Sequence, residues 1–257
     1  DTAKSLSGAL KIAINSVYGL TAARYENAFR DPRNKDNIVA KRGALFMTDL
    51  KFAVQEEGYK VVHIKTDSIK IADADDYIVD FVHKMGEAYG YTFETEAIFD
   101  KICLVNDAVF IAKVRDGDWT ATGKQFAVPY VFKTLFSKES ILFKDMCETK
   151  SVATALYLDM NEGLLKMGKE DEHNYIFVGK VGQFTPIQKG KGGGILLREK
   201  DGKYYAANDS KGYRWLESET VSKLKKTKDI DKSYYDAMVN DAVETISKYG
   251  SIDWLTA

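Results

Sequence analysis

The sequence predicts an α+β fold from three observations: two helical stretches at its start, a hairpin signal after Lys60, and a further helix followed by strands beyond Asp75. Leu6 to Leu20 has apolar residues at helical spacing, and Asn37 to Glu57 repeats the pattern with Leu45, Leu50 and Phe52 among its apolar positions. Between them, Arg30-Asp31-Pro32-Arg33-Asn34 has the proline and Asx residues of a turn, so the two helices are expected to pair like a hairpin. Val61, Val62 and Ile64, then Ile69 and Ile71, flank the polar Lys65-Thr66-Asp67-Ser68, which reads as two strands joined by a tight turn. Asp75 to Tyr89 returns to helical spacing, with Ile78, Val79, Val82 and Met85 on one side and Asp75 or Asp76 available as a cap.

Strands are expected next over Thr92–Glu96, Cys103–Val114 and Trp119–Lys124, and helices over Lys138–Lys150 and Val152–Lys166. A small β-rich insert follows, with strands at Phe177–Ile187, Gly194–Arg198, Lys203–Ala207 and Tyr213–Glu217, and Asp231–Lys248 closes the chain as a helix. The expected division is a helical segment over 1–59, an antiparallel sheet with a packed helix over 60–130, and a mainly helical part with its β insert over 131–257.

Composition narrows the function. Of the 257 residues 45% are hydrophobic and 29% charged, and no apolar run approaches the roughly 18 residues of a membrane span. A formal net charge of −1 leaves any nucleic-acid surface to local clustering. Such clusters exist: Lys189, Lys191, Arg198, Lys200 and Lys203 in one segment, Lys223, Lys225, Lys226 and Lys228 in another, and an acidic group at Asp73, Asp75 and Asp76. Solvated faces are the competing reading of each. Cys103 and Cys147 lack partners at metal-ligand spacing, which argues against a zinc site or disulfide framework and suits a reducing cytoplasm. The start Asp1-Thr2-Ala3-Lys4 has no initiator Met and no signal-peptide pattern, so the chain is expected to be a piece of a longer one.

Two short segments carry chemistry. Lys11, Asn15 and Tyr18 stand at i, i+4 and i+7 of the first helix and, at ~100° per residue, project in one stripe. A cation, an amide and a phenol so aligned can offer charge to a triphosphate and a hydrogen-bonding, stacking surface to a base pair. The alternative is an amphipathic helix whose polar stripe faces water. Asp67, in a tight turn between apolar strands, is a rigidly held carboxylate of the kind that two-metal phosphoryl transfer requires. Its alternative is an Asp-Ser turn held by its own backbone contacts.

Lys11-Ile12-Ala13-Ile14-Asn15-Ser16-Val17-Tyr18-Gly19 resembles the Lys-x-x-x-Asn-Ser-x-Tyr-Gly motif B of family B DNA polymerases. His63-Ile64-Lys65-Thr66-Asp67-Ser68, which follows after a helix pair as in that family, resembles motif C, Tyr-x-Asp-Thr-Asp-Ser. The resemblance implies that Lys11 contacts the phosphates of the incoming nucleotide, that Asn15 and Tyr18 lie near the nascent base pair, and that Asp67 is the catalytic metal ligand. Lys65 replaces the first acid of the motif and His63 its aromatic residue. Ile111-Ala112-Lys113-Val114-Arg115 is similar to the Lys-Lys-x-Tyr region that holds template-primer, without its Tyr. The segments Trp119–Phe126, Val178–Phe184 and Lys211–Glu217 look like stretches of phage-type members. Lys113, Gly19 and Lys124 are accordingly assigned to the DNA-binding surface.

The resemblance thus implies a fingers helix over 1–59, part of the palm over 60–130 and a thumb over 131–257. The implied activity is DNA-directed DNA polymerisation with two Mg²⁺ ions. The implied partners are template-primer DNA, dNTPs and the N-terminal polymerase part, in cis or as a separate chain, in a host-cell cytoplasm. Motif A, an Asp-x-x-Ser-Leu-Tyr-Pro strand, has no counterpart in the 257 residues, and Asp1 stands too close to Lys11 to serve. Nor is the exonuclease region present, so isolated 1–257 is expected to polymerise little. A non-catalytic DNA-binding subunit or remnant is the alternative, favoured by Lys65 and the missing motif A.

Overall fold

The helical spacing at the start of the chain becomes α1, Thr2–Thr21. A computed structural model describes residues 2–161 and 173–257, and the chain divides into two units, Asp1–Glu96 and Ala97–Ala257. In the first, Asp31 caps a 3₁₀ turn, Pro32–Asn37, by accepting from Arg33 N–H, and α2 follows at Ile38–Glu56. Strands β1 (Val61–Lys65) and β2 (Ser68–Ile71) form a two-stranded antiparallel sheet. Helix α3, Asp76–Ala88, starts where the Asp75 carboxylate accepts from Ile78 N–H, one of the orphan donors of a helix start.

The core of this unit joins Phe46, Met47, Leu50 and Val54 of α2 to Ile78 and Val82 of α3, with Ile64, Ile69 and Ile71 of the hairpin packed against it. Leu50, Val54 and Ile78 are fully buried, and each such side chain contributes about 1.5–3 kcal/mol. Of the apolar positions that mark α2 in the sequence, Leu50 is buried, whereas Leu45 is 62% and Phe52 55% exposed. The strand expected over Thr92–Glu96 is absent, and residues 91–98 run without ladder partners. Aromatic packing holds this segment in place of a sheet, since the Phe46 ring lies 4.7 Å from that of Tyr91 and 6.0 Å from that of Phe93.

In the second unit β3 (Phe99–Asn106), β4 (Val109–Val114) and β5 (Trp119–Thr122) form an antiparallel sheet in that order. The single strand expected over Cys103–Val114 is therefore a hairpin. Asn106 makes its turn, the side-chain oxygen accepting from both Ala108 N–H and Val109 N–H, an Asx arrangement that supplies a reversal without glycine. Two short helices follow, α4 (Lys124–Ala127) and α5 (Pro129–Phe132), the second with proline in its first turn, where the missing N–H costs nothing.

The part beyond Tyr130 is more β-rich than expected. Lys138–Lys150 is not an α-helix: it holds one 3₁₀ turn, Phe143–Met146, and then enters β6, Glu148–Asp159. That strand also replaces the helix expected from Val152; residues 162–166 lie outside the described residues. Val152 and Leu156 satisfy helical and alternating patterns alike, Leu158 continues only the alternating one, and the β-branched Thr149, Val152 and Thr154 favour the strand. β7 (Tyr175–Ile187), β8 (Ile195–Lys200), β9 (Lys203–Ala206) and β10 (Arg214–Glu217) complete a five-stranded antiparallel sheet of order β10-β7-β6-β8-β9. The closing helices are α6 (Ser218–Lys223), α7 (Ser233–Ser247) and α8 (Ile252–Thr256).

Helix α7 serves two cores. Its Tyr234 and Tyr235 pack with Leu156, Leu158, Leu196 and Trp215 of the large sheet. Further along, Ala242 and Ile246 pack with Ile111, Phe126, Val131 and Phe136. Among the described residues no helix is long and apolar enough to cross a membrane.

Candidate functional site

Lys11, Asn15 and Tyr18 all lie on exposed surface of α1. Lys11 and Asn15 share one shallow groove of the helix with Leu10 and Ile14, as their spacing requires. The helix is held at its C-terminal end. The Tyr18 phenol donates to Asn37 Oδ1 at 2.8 Å, Asn34 Nδ2 donates to Thr21 Oγ1 at 2.7 Å, and Asp31 N–H donates to Thr21 C=O at 3.2 Å. Asn37 sits at φ 58°, a left-handed conformation that asparagine tolerates better than most residues. This tether for Tyr18 was not foreseen; the Asx-rich stretch Asn34-Lys35-Asp36-Asn37 is the signal that could have found it. A Cβ at Gly19 would meet nothing within 4 Å, so the space beside it is open.

Asp67 lies at the tip of the β1–β2 hairpin, where Lys65 pairs with Ser68 and Thr66-Asp67 form the two-residue turn. Asp67 N–H donates to Lys65 C=O at 2.6 Å, closing a very tight bend. Thr66 has φ 48°, an unusual value for a β-branched residue and a mark of local strain. The Asp67 carboxylate is exposed, as is Lys65, while His63 is buried within β1 with its Nδ1 3.5 Å from Lys70 Nζ. The acidic group nearby is partly structural: Asp75 is held below the usual carboxylate range by the Ile78 N–H and then by the Tyr59 hydroxyl.

The sequence-predicted residues therefore occupy two supports of the first unit, the α1 stripe and the hairpin tip, and no recorded hydrogen bond or ion pair among the described residues links them. The hairpin tip offers a divalent cation one carboxylate. No group of three or more His, Cys, Asp or Glu among the described residues is placed to hold a metal. A Mg²⁺ ion needs more oxygen ligands than this, so the described residues do not by themselves make a fitting site.

Lys113 and Lys124 belong to the second unit, and each is already engaged. Lys113 Nζ donates to Gly117 C=O at 2.7 Å and lies 6.0 Å from the centroid of the Trp119 ring. Lys124 is ion-paired with Asp209, whose carboxyl it holds below the ordinary range. Arg115 pairs with Asp100 at 3.0 Å.

No protein-family model matches the chain, and no curated protein is significantly similar to it. Among solved structures, it is similar to the family B DNA polymerase from the hyperthermophilic archaeon Pyrobaculum calidifontis, with a TM-score of 0.43 and 13% identity. The likeness covers 83% of this chain and 30% of the archaeal one, so the chain spans about a third of the length of the protein it matches.

Proposed function

We propose that this chain is the nucleotide- and primer-handling portion of a DNA-directed DNA polymerase of family B, phage-type and working in a host-cell cytoplasm. The observation that carries the reading is the turn at Asp67: a β-branched residue in a left-handed conformation holds a carboxylate at the tip of a hairpin. Strain of this kind is kept where an exposed side chain must be aimed. The exposed Lys11, Asn15 and Tyr18 stripe supports the same reading, because it leaves the Lys11 cation and the Asn15 amide open to a ligand while Asn37 fixes the Tyr18 phenol beside them.

In this reading Lys11 offers its charge to the triphosphate of a dNTP, an electrostatic role that strengthens as negative charge builds on the phosphates. Asn15 and Tyr18 face the nascent base pair, with Gly19 leaving room for its approach. Asp67 is one acidic ligand of the Mg²⁺ pair, which would supply charge neutralisation when bound. The partner aspartate belongs to a motif A segment, in cis or on a separate chain, together with the exonuclease. Lys113 and Lys124 contact template-primer backbone, which makes binding salt-sensitive. The segments 1–59, 60–130 and 131–257 are fingers, palm part and thumb.

A non-catalytic DNA-binding subunit is the second reading, and Lys65 in place of the first motif C acid favours it. Primer extension with Mg²⁺ separates the two, comparing the chain alone, the chain with the adjacent upstream polypeptide, and that mixture carrying Asp67→Ala. Activity confined to the unsubstituted mixture is expected. DNA binding without extension in any of the three points to the non-catalytic subunit.

A further inference from the structure

The large sheet of the second unit carries a cleft of whose charged residues the polymerase reading uses Lys124 alone. It lies along β6 where the ladder to β7 breaks, since the pairs stop at Ser151 opposite Val181 and resume at Leu156 opposite Gly179. Its volume is about 620 Å³, and four cations, Lys124, Lys150, Arg198 and Lys200, line it with the carboxylates of Glu148, Glu199 and Asp209.

Each carboxylate is engaged through at least one oxygen, while Glu148 Oε1 is buried without a hydrogen-bond partner among the described residues. Asp209 is paired with Lys124. Glu148 Oε2 lies 2.7 Å from Lys150 Nζ, and that ammonium also stands 5.1 Å from the centroid of the Trp215 ring. Glu199 Oε1 accepts from Gly202 N–H at 2.7 Å.

Arg198 is left over. Its Nε is shut from solvent and has no hydrogen-bond partner, and its guanidinium enters no ion pair among the described residues. Lys200, two residues along β8 and so on the same face, is exposed and likewise unpaired among the described residues. A guanidinium half withdrawn from water without an acceptor is unfavourable until an anion supplies one. Its forked donors fit the oxygens of phosphate or carboxylate. Four cations against three carboxylates leave the lining one positive charge in excess, which favours an anion, and Val152, Ala153 and Ala207 add an apolar lining for whatever bears that charge.

We propose that this cleft is a phosphate-binding site, with Arg198 as its anchoring donor and Lys200 as its second cation. The phosphate is either a small free one, such as pyrophosphate or a nucleoside triphosphate, or a phosphodiester of a nucleic-acid backbone. The site belongs to the second unit alone, so its failure would leave the Asp67 experiment untouched, and the reverse also holds.

The test is titration of the full chain, labelled with ¹⁵N, with pyrophosphate and separately with a short duplex oligonucleotide, following the arginine Nε–H signals and the heat of binding. The Arg198 signal is expected to shift saturably, and Arg198→Gln to weaken binding at least ten-fold, with Lys232→Gln, outside the cleft, unchanged. Saturation by pyrophosphate alone assigns a free phosphate, and saturation by the oligonucleotide alone assigns a backbone one. An unmoved Arg198 signal with both probes, or equal affinity in Arg198→Gln, overturns the proposal. Should Arg198→Gln fail to fold, Lys200→Gln at its exposed position carries the test: about three-fold weaker binding is expected, and unchanged affinity overturns it.

Discussion

Replacing Thr66 by Gly should stabilise the first unit. At φ 48° a residue with a Cβ costs about 1.5 kcal/mol, the middle of the usual range for left-handed backbone. Glycine removes that cost, while its greater freedom in the unfolded chain returns about 0.5–1 kcal/mol. The net gain is then about 0.5–1 kcal/mol. The hairpin transmits it, because Ile64, Ile69 and Ile71 pack on the core of the unit. For a unit of this size the gain corresponds to a rise in Tm of roughly 2–8 °C. Thermal and urea unfolding followed by circular dichroism would measure it, with Thr66→Asn expected between wild type and Gly. A lower Tm for Thr66→Gly would refute the strain argument. If the strain aims Asp67, the stabilised variant should also extend primers more slowly beside the upstream polypeptide, the usual exchange between rigidity of fold and poise of a site.

Gly86→Ala should destabilise the first unit by about 1–2 kcal/mol although alanine is the better helix former, because overpacking outweighs propensity: the new Cβ would lie 2.6 Å from Phe93 Cδ2 and 3.1 Å from Tyr91 C=O. Leu50→Ala, at a fully buried position, should cost about 2–5 kcal/mol in urea unfolding. Acid should weaken the second unit through Asp159 and Asp145. Burial pushes both carboxyls up, but the His173 ring and two backbone N–H groups at Asp159, and the Leu142 N–H and Lys133 at Asp145, hold the net value below the ordinary one. A depressed folded pKa gives stabilisation that is full above the unfolded value of about 3.9 and is lost as pH falls through the lower folded value. Stability should therefore hold from pH 7 to 5 and fall below about pH 4, and Asp159→Asn should flatten that fall.

Elements whose pattern admits one period were legible in the sequence. The hairpin at 61–71, α3 with its Asp75 cap, and strands β7 to β10 lie within a residue or two of their expected places. The misreadings share a cause. In β6, Val152 and Leu156 fit both periods, and partners remote in sequence, β7 and β8, fix the strand. Leu45 and Phe52 are apolar yet exposed, because burial on α2 is set by α3 and the hairpin. At the site, the exposure of the α1 stripe and the tight turn at Asp67 follow from spacing and turn chemistry. The Lys124–Asp209 pair joins residues 85 positions apart, and no local pattern encodes it; the Tyr18–Asn37 pair, 19 apart, left only the Asx-rich stretch at 34–37 as a trace.

The anchoring of α1 at one end makes it a lever. Its 20 residues extend about 30 Å, and the tether at Tyr18, Thr21 and Asn37 is its fulcrum. Lys11 stands seven residues from Tyr18, an arm of about 10 Å, so a tilt of about 10° displaces its backbone by about 2 Å. If Lys11 meets a ligand's phosphates as proposed, they would feel a change at Asn37 without being touched by it, from the far end of the helix.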